Sequence, residues 1–186
     1  MTTTPHHLGY HARRVRRLNV AAQSRDVRIV HPLDGIDQQV EPTALLRAGS
    51  ALWRSWRRHP AFATPELLLG LDAGGILPTI AVALASGVPY RLAWKLDLDL
   101  PSKLRFTEPH AQRSDVFAYG DLTGKKVLLI DDETTTGNTL ANLVSELRGA
   151  AVEVVGAVCL IEDTTGDARS LLEDSLEVPL CTLTRI

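Results

Sequence analysis

An α/β domain with a mainly parallel central sheet flanked by helices is the fold class the sequence predicts, and three observations carry it. Short apolar runs alternate with stretches of helical period, the order that crossover connections between parallel strands produce. The run Val127-Leu128-Leu129-Ile130 is unbroken, as expected of a strand buried on both faces. Two polar turns follow strands directly and open into helices, which is where such sheets bind ligands.

The elements follow in order. From Pro42 to about His59, Leu45, Gly49, Leu52, Trp53 and Trp56 recur at helical spacing with arginines between them, and Pro42 suits a first helical turn. Trp53 and Trp56 on that period are expected to pack the core. Leu67 to Leu71 reads as a strand, Asp72-Ala73-Gly74-Gly75 as a turn, Ile76 to about Ser86 as a helix and Tyr90 to Trp94 as a second strand. The polar stretch from Asp97 to Asp115, with Pro101 and Pro109, reads as a long loop or a hairpin standing away from the sheet. After the strand at 127–130, Asp131 to Asn138 reads as a polar turn, and Leu140, Leu143, Val144 and Leu147 mark one helix face ending near Gly149. Val154 to Ile161 is a further strand, Ala168 to Leu172 a short helix and Pro179 to Thr184 a last strand. Residues 1–35 are expected to be a partly ordered leader ahead of one domain, 36–186.

With 186 residues, 45% of them apolar, the chain can bury one substantial core. A formal net charge of −2, from 20 basic and 22 acidic side chains, creates no global field toward nucleic acid or an anionic membrane. Cys159 and Cys181 lie in apolar runs and read as reduced core residues. With neither a signal peptide nor a membrane span in view, a soluble, cytoplasmic protein is expected. His6, His7 and His11 with Arg13, Arg14, Arg16 and Arg17 admit a metal- or phosphate-binding arm, but a partly ordered leader or solvated helix face is the expected reading.

The chemistry concentrates in two loops. Asp131-Asp132-Glu133-Thr134-Thr135-Thr136-Gly137-Asn138-Thr139 sets three carboxylates directly after a buried strand and four threonines directly before a helix. Hydroxyls, free backbone N–H groups and the helix dipole make a phosphate cradle. Carboxylates beside it would repel phosphate, so their partners are sugar hydroxyls or a hydrated Mg2+. A ligand with both features is a ribose 5-phosphate.

The run Val127 to Thr139 resembles the signature of type I phosphoribosyltransferases, which bind 5-phosphoribosyl-1-pyrophosphate (PRPP): four apolar residues, two acidic ones, then a Thr-Gly turn. The resemblance covers about residues 36–186, and the flanking segments look nearest to the adenine and xanthine branch. It implies a 5-phosphate gripped by Thr134 to Thr139, and ribose hydroxyls held by Asp131 and Asp132 directly or through metal. Leu71-Asp72-Ala73-Gly74-Gly75 resembles the pyrophosphate loop, where missing side chains let backbone N–H groups approach. Lys95 resembles a basic pyrophosphate contact, and 97–115, with Lys103 and Arg105, the mobile loop or hood that closes over PRPP. Glu133 and Thr134 depart from the apolar or small residues usual there, and Asn138 from a second glycine. Glu133 is open to three roles: general base, outer partner of a metal, or solvent-facing.

The implied activity is Mg2+-dependent transfer of the phosphoribosyl group of PRPP to a purine-like base, with release of pyrophosphate, by a homodimer. Lys95, Lys103 and Arg105 would stabilise the leaving group. A response-regulator receiver shares the string Val127 to Glu133, but too little chain follows it. The Gly70 to Gly75 loop lacks dinucleotide-binding spacing. Two rivals share the phosphate cradle: a non-catalytic PRPP-sensing regulator, and a hydrolase of phosphoribosyl nucleotides.

Overall fold

The computed structural model describes residues 12–18, 26–109 and 115–186. His6, His7 and His11 lie outside the described residues, as does the 110–114 tip of the stretch read as a mobile loop.

Five parallel strands form the central sheet: β3 (Leu67–Leu71), β4 (Tyr90–Ala93), β7 (Lys126–Thr134), β8 (Glu153–Glu162) and β9 (Leu180–Arg185), in the order β4-β3-β7-β8-β9. Alternate side chains point to opposite faces. Leu67, Leu69, Val127 and Leu129 therefore pack under α3 (Asn138–Gly149), and Leu68, Leu128 and Ile130 under α1 (Pro42–Arg58). The second helix, α2 (Ile76–Ser86), crosses over between β3 and β4 and contacts α1. Leu128, Leu129 and Ile130 are fully buried, each contributing about 1.5–3 kcal/mol by leaving water. Trp56 is also fully buried, with its indole N–H donating to the Ala63 carbonyl at 3.2 Å, while Trp53 is partly buried beside it. Cys159 and Cys181 are buried free thiols.

Several elements differ from the sequence reading. The strand after Lys125 does not end at Ile130: Asp131 pairs with Cys159, Glu133 with Ile161 and Thr134 with Glu162, so the acidic residues belong to β7. Ladder hydrogen bonds to β8 compensate for their poor strand propensity. The stretch 97–115 takes the hairpin alternative, β5 (Lys103–Thr107) running antiparallel to β6 (Asp115–Tyr119), but it does not stand away from the sheet: a Trp94–Phe117 bridge joins them. The expected short helix is a π-helical turn, Ser170–Ser175. Near the N-terminus, β1 (Arg13–Arg16) pairs antiparallel with β2 (Val27–Val30), so the arginine cluster lies along a strand rather than a helix face. Ile29, Val30, His31 and Leu33 are buried, and Ile29 and Leu33 join the core beside Ile130. No described helix is long and apolar enough to cross a membrane.

Candidate active site

β3 has β4 on one side and β7 on the other, and the connections run outward from it in both directions. The sheet thus has its topological switch point between β3 and β7, where a crevice opens at the carboxyl ends of the strands. Both chemically loaded loops emerge there. Neither following helix has a side-chain cap at its N-terminus, Gly75 before α2 and Gly137 before α3, so both positive helix ends are open to an anion.

The loops meet at Gly74. A Cβ on Gly74 would stand 2.1 Å from Asp132 Oδ2 and 2.3 Å from Oδ1, so only glycine lets this backbone lie against the carboxylate. The Asp72–Ala73 peptide is cis. Asp72 Oδ2 accepts the Lys95 N–H at 3.2 Å, tying the loop to the end of β4. The Lys95 ammonium is itself paired with Glu108 Oε2 at 2.6 Å, and both side chains are partly buried.

In the second loop the carbonyls face backward. The Thr134 carbonyl accepts the Asp163 N–H at 2.8 Å and the Thr135 carbonyl accepts the Ala168 N–H at 3.1 Å. Oxygens that would repel a phosphate are thus engaged elsewhere. The buried Thr135 hydroxyl has no hydrogen-bond partner, and Gly137 turns at φ +74° to deliver the chain into α3. The Asn138 N–H reaches the Thr136 hydroxyl at 3.4 Å, and Thr139 lies in the first turn of the helix.

Asp131 and Asp132 are adjacent in β7, and the Asp132 N–H donates to Asp131 Oδ1 at 2.9 Å. Burial, then the like charge of Asp132, pushes the Asp131 carboxyl well above its usual range. Burial also acts to raise Asp132, but His31, Asp131 and the Arg28 charge outweigh it and leave that carboxyl below its usual range. A pair so crowded gains from a cation or from hydroxyl donors. Among the described residues no group of three or more His, Cys, Asp or Glu is placed to hold a metal alone.

Lys103 and Arg105 are placed on the hairpin. Lys103 pairs with Asp97 at 2.5 Å and lies 5.6 Å from the Phe117 ring centroid, and Arg105 pairs with Asp115 at 2.9 Å. Their partners belong to the hairpin and its approach, not to the two loops. Sequence reasoning passed over Arg28 and His31, which lie against Asp132, and Glu108, which holds Lys95. The short β-branched run Val27-Arg28-Ile29-Val30 was the available signal for a strand there, but nothing local to it points to Asp132.

Residues 37–178 match the sequence profile of the phosphoribosyl transferase domain. The chain belongs to the phosphoribosyltransferase family. It is 25% identical over 158 residues to a hypoxanthine/guanine phosphoribosyltransferase of Methanocaldococcus sp. (strain FS406-22), covering 84% of this chain and 78% of that one. A xanthine phosphoribosyltransferase of Chloroflexus aurantiacus is 32% identical over 127 residues, 65% of this chain and 60% of its own. The fold is shared with the adenine phosphoribosyltransferase of Leishmania tarentolae, at TM-score 0.71 and 22% identity over 94% of this chain and 83% of that one. The two sequence relatives are named as transferases, which favours neither the regulator nor the hydrolase. The activity is accordingly transfer of the phosphoribosyl group of PRPP to a nitrogen base.

Proposed function

We propose that this phosphoribosyltransferase acts on a purine base in the manner of a salvage enzyme, with Mg2+ bound alongside PRPP. The observation that carries the reading is the meeting of the two uncapped loops at Gly74 and Asp132. One crevice then offers anion sites at both helix ends and a carboxylate pair between them, matching the two phosphate ends and central ribose of PRPP. The purine acceptor is supported by the names of the hypoxanthine/guanine and xanthine relatives.

In this reading the Thr134–Thr139 turn and the start of α3 hold the 5-phosphate. Backbone N–H groups of Ala73, Gly74 and Gly75 face the pyrophosphate. Asp131 and Asp132 take the ribose hydroxyls and hydrated Mg2+, which would neutralise charge on the leaving oxygens. Lys95 supplies further positive charge there once its Glu108 partner yields. Lys103 and Arg105 join only when the hairpin closes over the donor and excludes water. Bond breaking at the anomeric carbon needs orientation and electrostatics, and no protein nucleophile. We further propose a cytoplasmic homodimer: the free thiols Cys159 and Cys181 fit a reducing compartment, and Tyr90, Trp94, Leu96, Leu98 and Leu100 leave apolar surface for a second copy. A monomeric mass in solution would oppose the dimer.

The deciding assay is pyrophosphate release from PRPP and Mg2+ with adenine, guanine, hypoxanthine, xanthine, orotate or uracil, beside a no-base control. Release with one base, and formation of its nucleotide, names the acceptor. Release without a base would indicate hydrolysis, and binding without release a regulator. Asp131→Asn combined with Asp132→Asn should abolish turnover in a folded protein, and persistence of the wild-type rate would remove the pair from the site.

A further inference from the structure

Three contacts from the N-terminal ribbon converge on the acidic end of β7. The Arg28 guanidinium lies 3.9 Å from Asp132 Oδ2, the Ile29 N–H donates to Glu133 Oε2 at 3.1 Å, and His31 Nε2 lies 3.6 Å from Asp132 Oδ2. His31 is 4% exposed, and its buried Nε2 has no hydrogen-bond partner. A buried polar atom left so is costly, which sets this nitrogen apart from an ordinary core contact.

The other side of the ring fixes the proton. The Leu33 N–H donates to His31 Nδ1 at 3.3 Å, so Nδ1 is an acceptor and the ring proton sits on Nε2, facing Asp132. The backbone beneath is tied down as well. The His31 N–H donates to Asp34 Oδ2 at 2.9 Å, the Asp34 N–H returns to the His31 carbonyl at 3.2 Å, and the Ile36 N–H reaches Asp34 Oδ1 at 2.8 Å. His31 therefore presents one N–H from a rigid mount. The same Asp132 carboxylate lies where a Cβ on Gly74 would stand, so the pyrophosphate-loop candidate also abuts it. A shift of a few tenths of an ångström toward the imidazole would close a charge-assisted hydrogen bond.

We propose that His31 is a positioning residue for Asp132: its Nε2–H fixes the rotation of the carboxylate that meets the ribose and hydrated cation of PRPP. The proposal rests on the reading of Asp131 and Asp132 given above. It makes part of the region read as a leader a working part of the site.

The test uses the full chain with His31→Leu, which fills the volume without a donor, and His31→Gln, which returns an N–H near the Nε2 position. Long-range 1H–15N correlation spectra of the unliganded wild type should show the Nε2–H tautomer, with the Nε2 resonance shifting in Asp132→Asn. An Nδ1–H tautomer overturns the proposal whatever the activity. In turnover with PRPP and Mg2+, His31→Leu should lower kcat by about tenfold or more with a smaller change in KM, because a misplaced reacting group costs rate before binding. His31→Gln should recover most of that loss, with the melting temperatures of the two variants close together. Wild-type kcat in His31→Leu, or equal losses in both variants, overturns the proposal, the second outcome making His31 a packing residue. A wild type that neither binds PRPP nor releases pyrophosphate overturns the reading of the acidic pair instead, and the spectra show separately whether the Nε2–H contact exists.

Discussion

Glu133 Oε2 receives the Ile29 N–H at 3.1 Å, which ties this carboxylate to β2 and bears on the three roles its sequence position left open. A tether needs an acceptor atom, whereas a general base needs a proton-accepting charge. Glu133→Gln keeps an acceptor for Ile29 and should lower kcat much less than Glu133→Ala does. If both lower it equally by about a hundredfold or more, the carboxylate acts as a base. The contrast with Asp131 comes from surroundings rather than residue type. Asp131 is pushed up by burial and by Asp132 and gains from a cation, while Glu133 already has a backbone donor.

Among the elements, the segment from Asp163 to Ala168 backs the Thr134–Thr139 turn, and β1 holds that segment. The Arg14 guanidinium grips Asp163 through two bonds, 2.6 and 3.2 Å, and the Thr165 hydroxyl adds a third at 2.7 Å. The bond from Arg14 is the leading cause that holds the Asp163 carboxyl down to about 2. Because its folded pKa is depressed, Asp163 contributes stability that is complete above the unfolded value near about 4 and is lost as pH falls through about 2. Asp163→Asn should therefore cost about 1.5–3 kcal/mol in denaturant unfolding at neutral pH. The gap from wild type should narrow between about pH 4 and pH 2, and a pH-independent gap would mean that the charge plays no part. At the next position Glu162 is held by Arg169 at 2.6 Å and Arg185 at 3.2 Å, joining the π-helical turn and β9 to the end of β8.

For the whole molecule, the strand order β4-β3-β7-β8-β9 decides where function lies, since it brings β3 and β7 side by side although 54 residues separate Leu71 from Lys126 within the chain. A ligand bridging the ends of both strands holds the sheet closed at its switch point. PRPP with Mg2+ at about a hundred times its Kd should add about 2.7 kcal/mol to stability, a rise in Tm of about 5–10 °C for a chain of this size. Without Mg2+ the rise should shrink, and a Tm unmoved by PRPP with Mg2+ would deny binding at this crevice.

By itself the sequence determined the α/β class, the positions of α1, α2 and the central strands, and the two polar loops that follow β3 and β7. All of these are written in local terms: apolar period, unbroken strand runs, and glycine or acidic turns next in the chain. Tertiary structure alone decided that Asp131 to Thr134 continue β7, because a polar run is a strand only when a neighbour such as β8 supplies its ladder. It also decided that Gly74 abuts Asp132, that Lys95 is held by Glu108, and that His31 faces the acidic pair from about a hundred residues away. Such contacts depend on which distant elements packing brings together, and no local period records them.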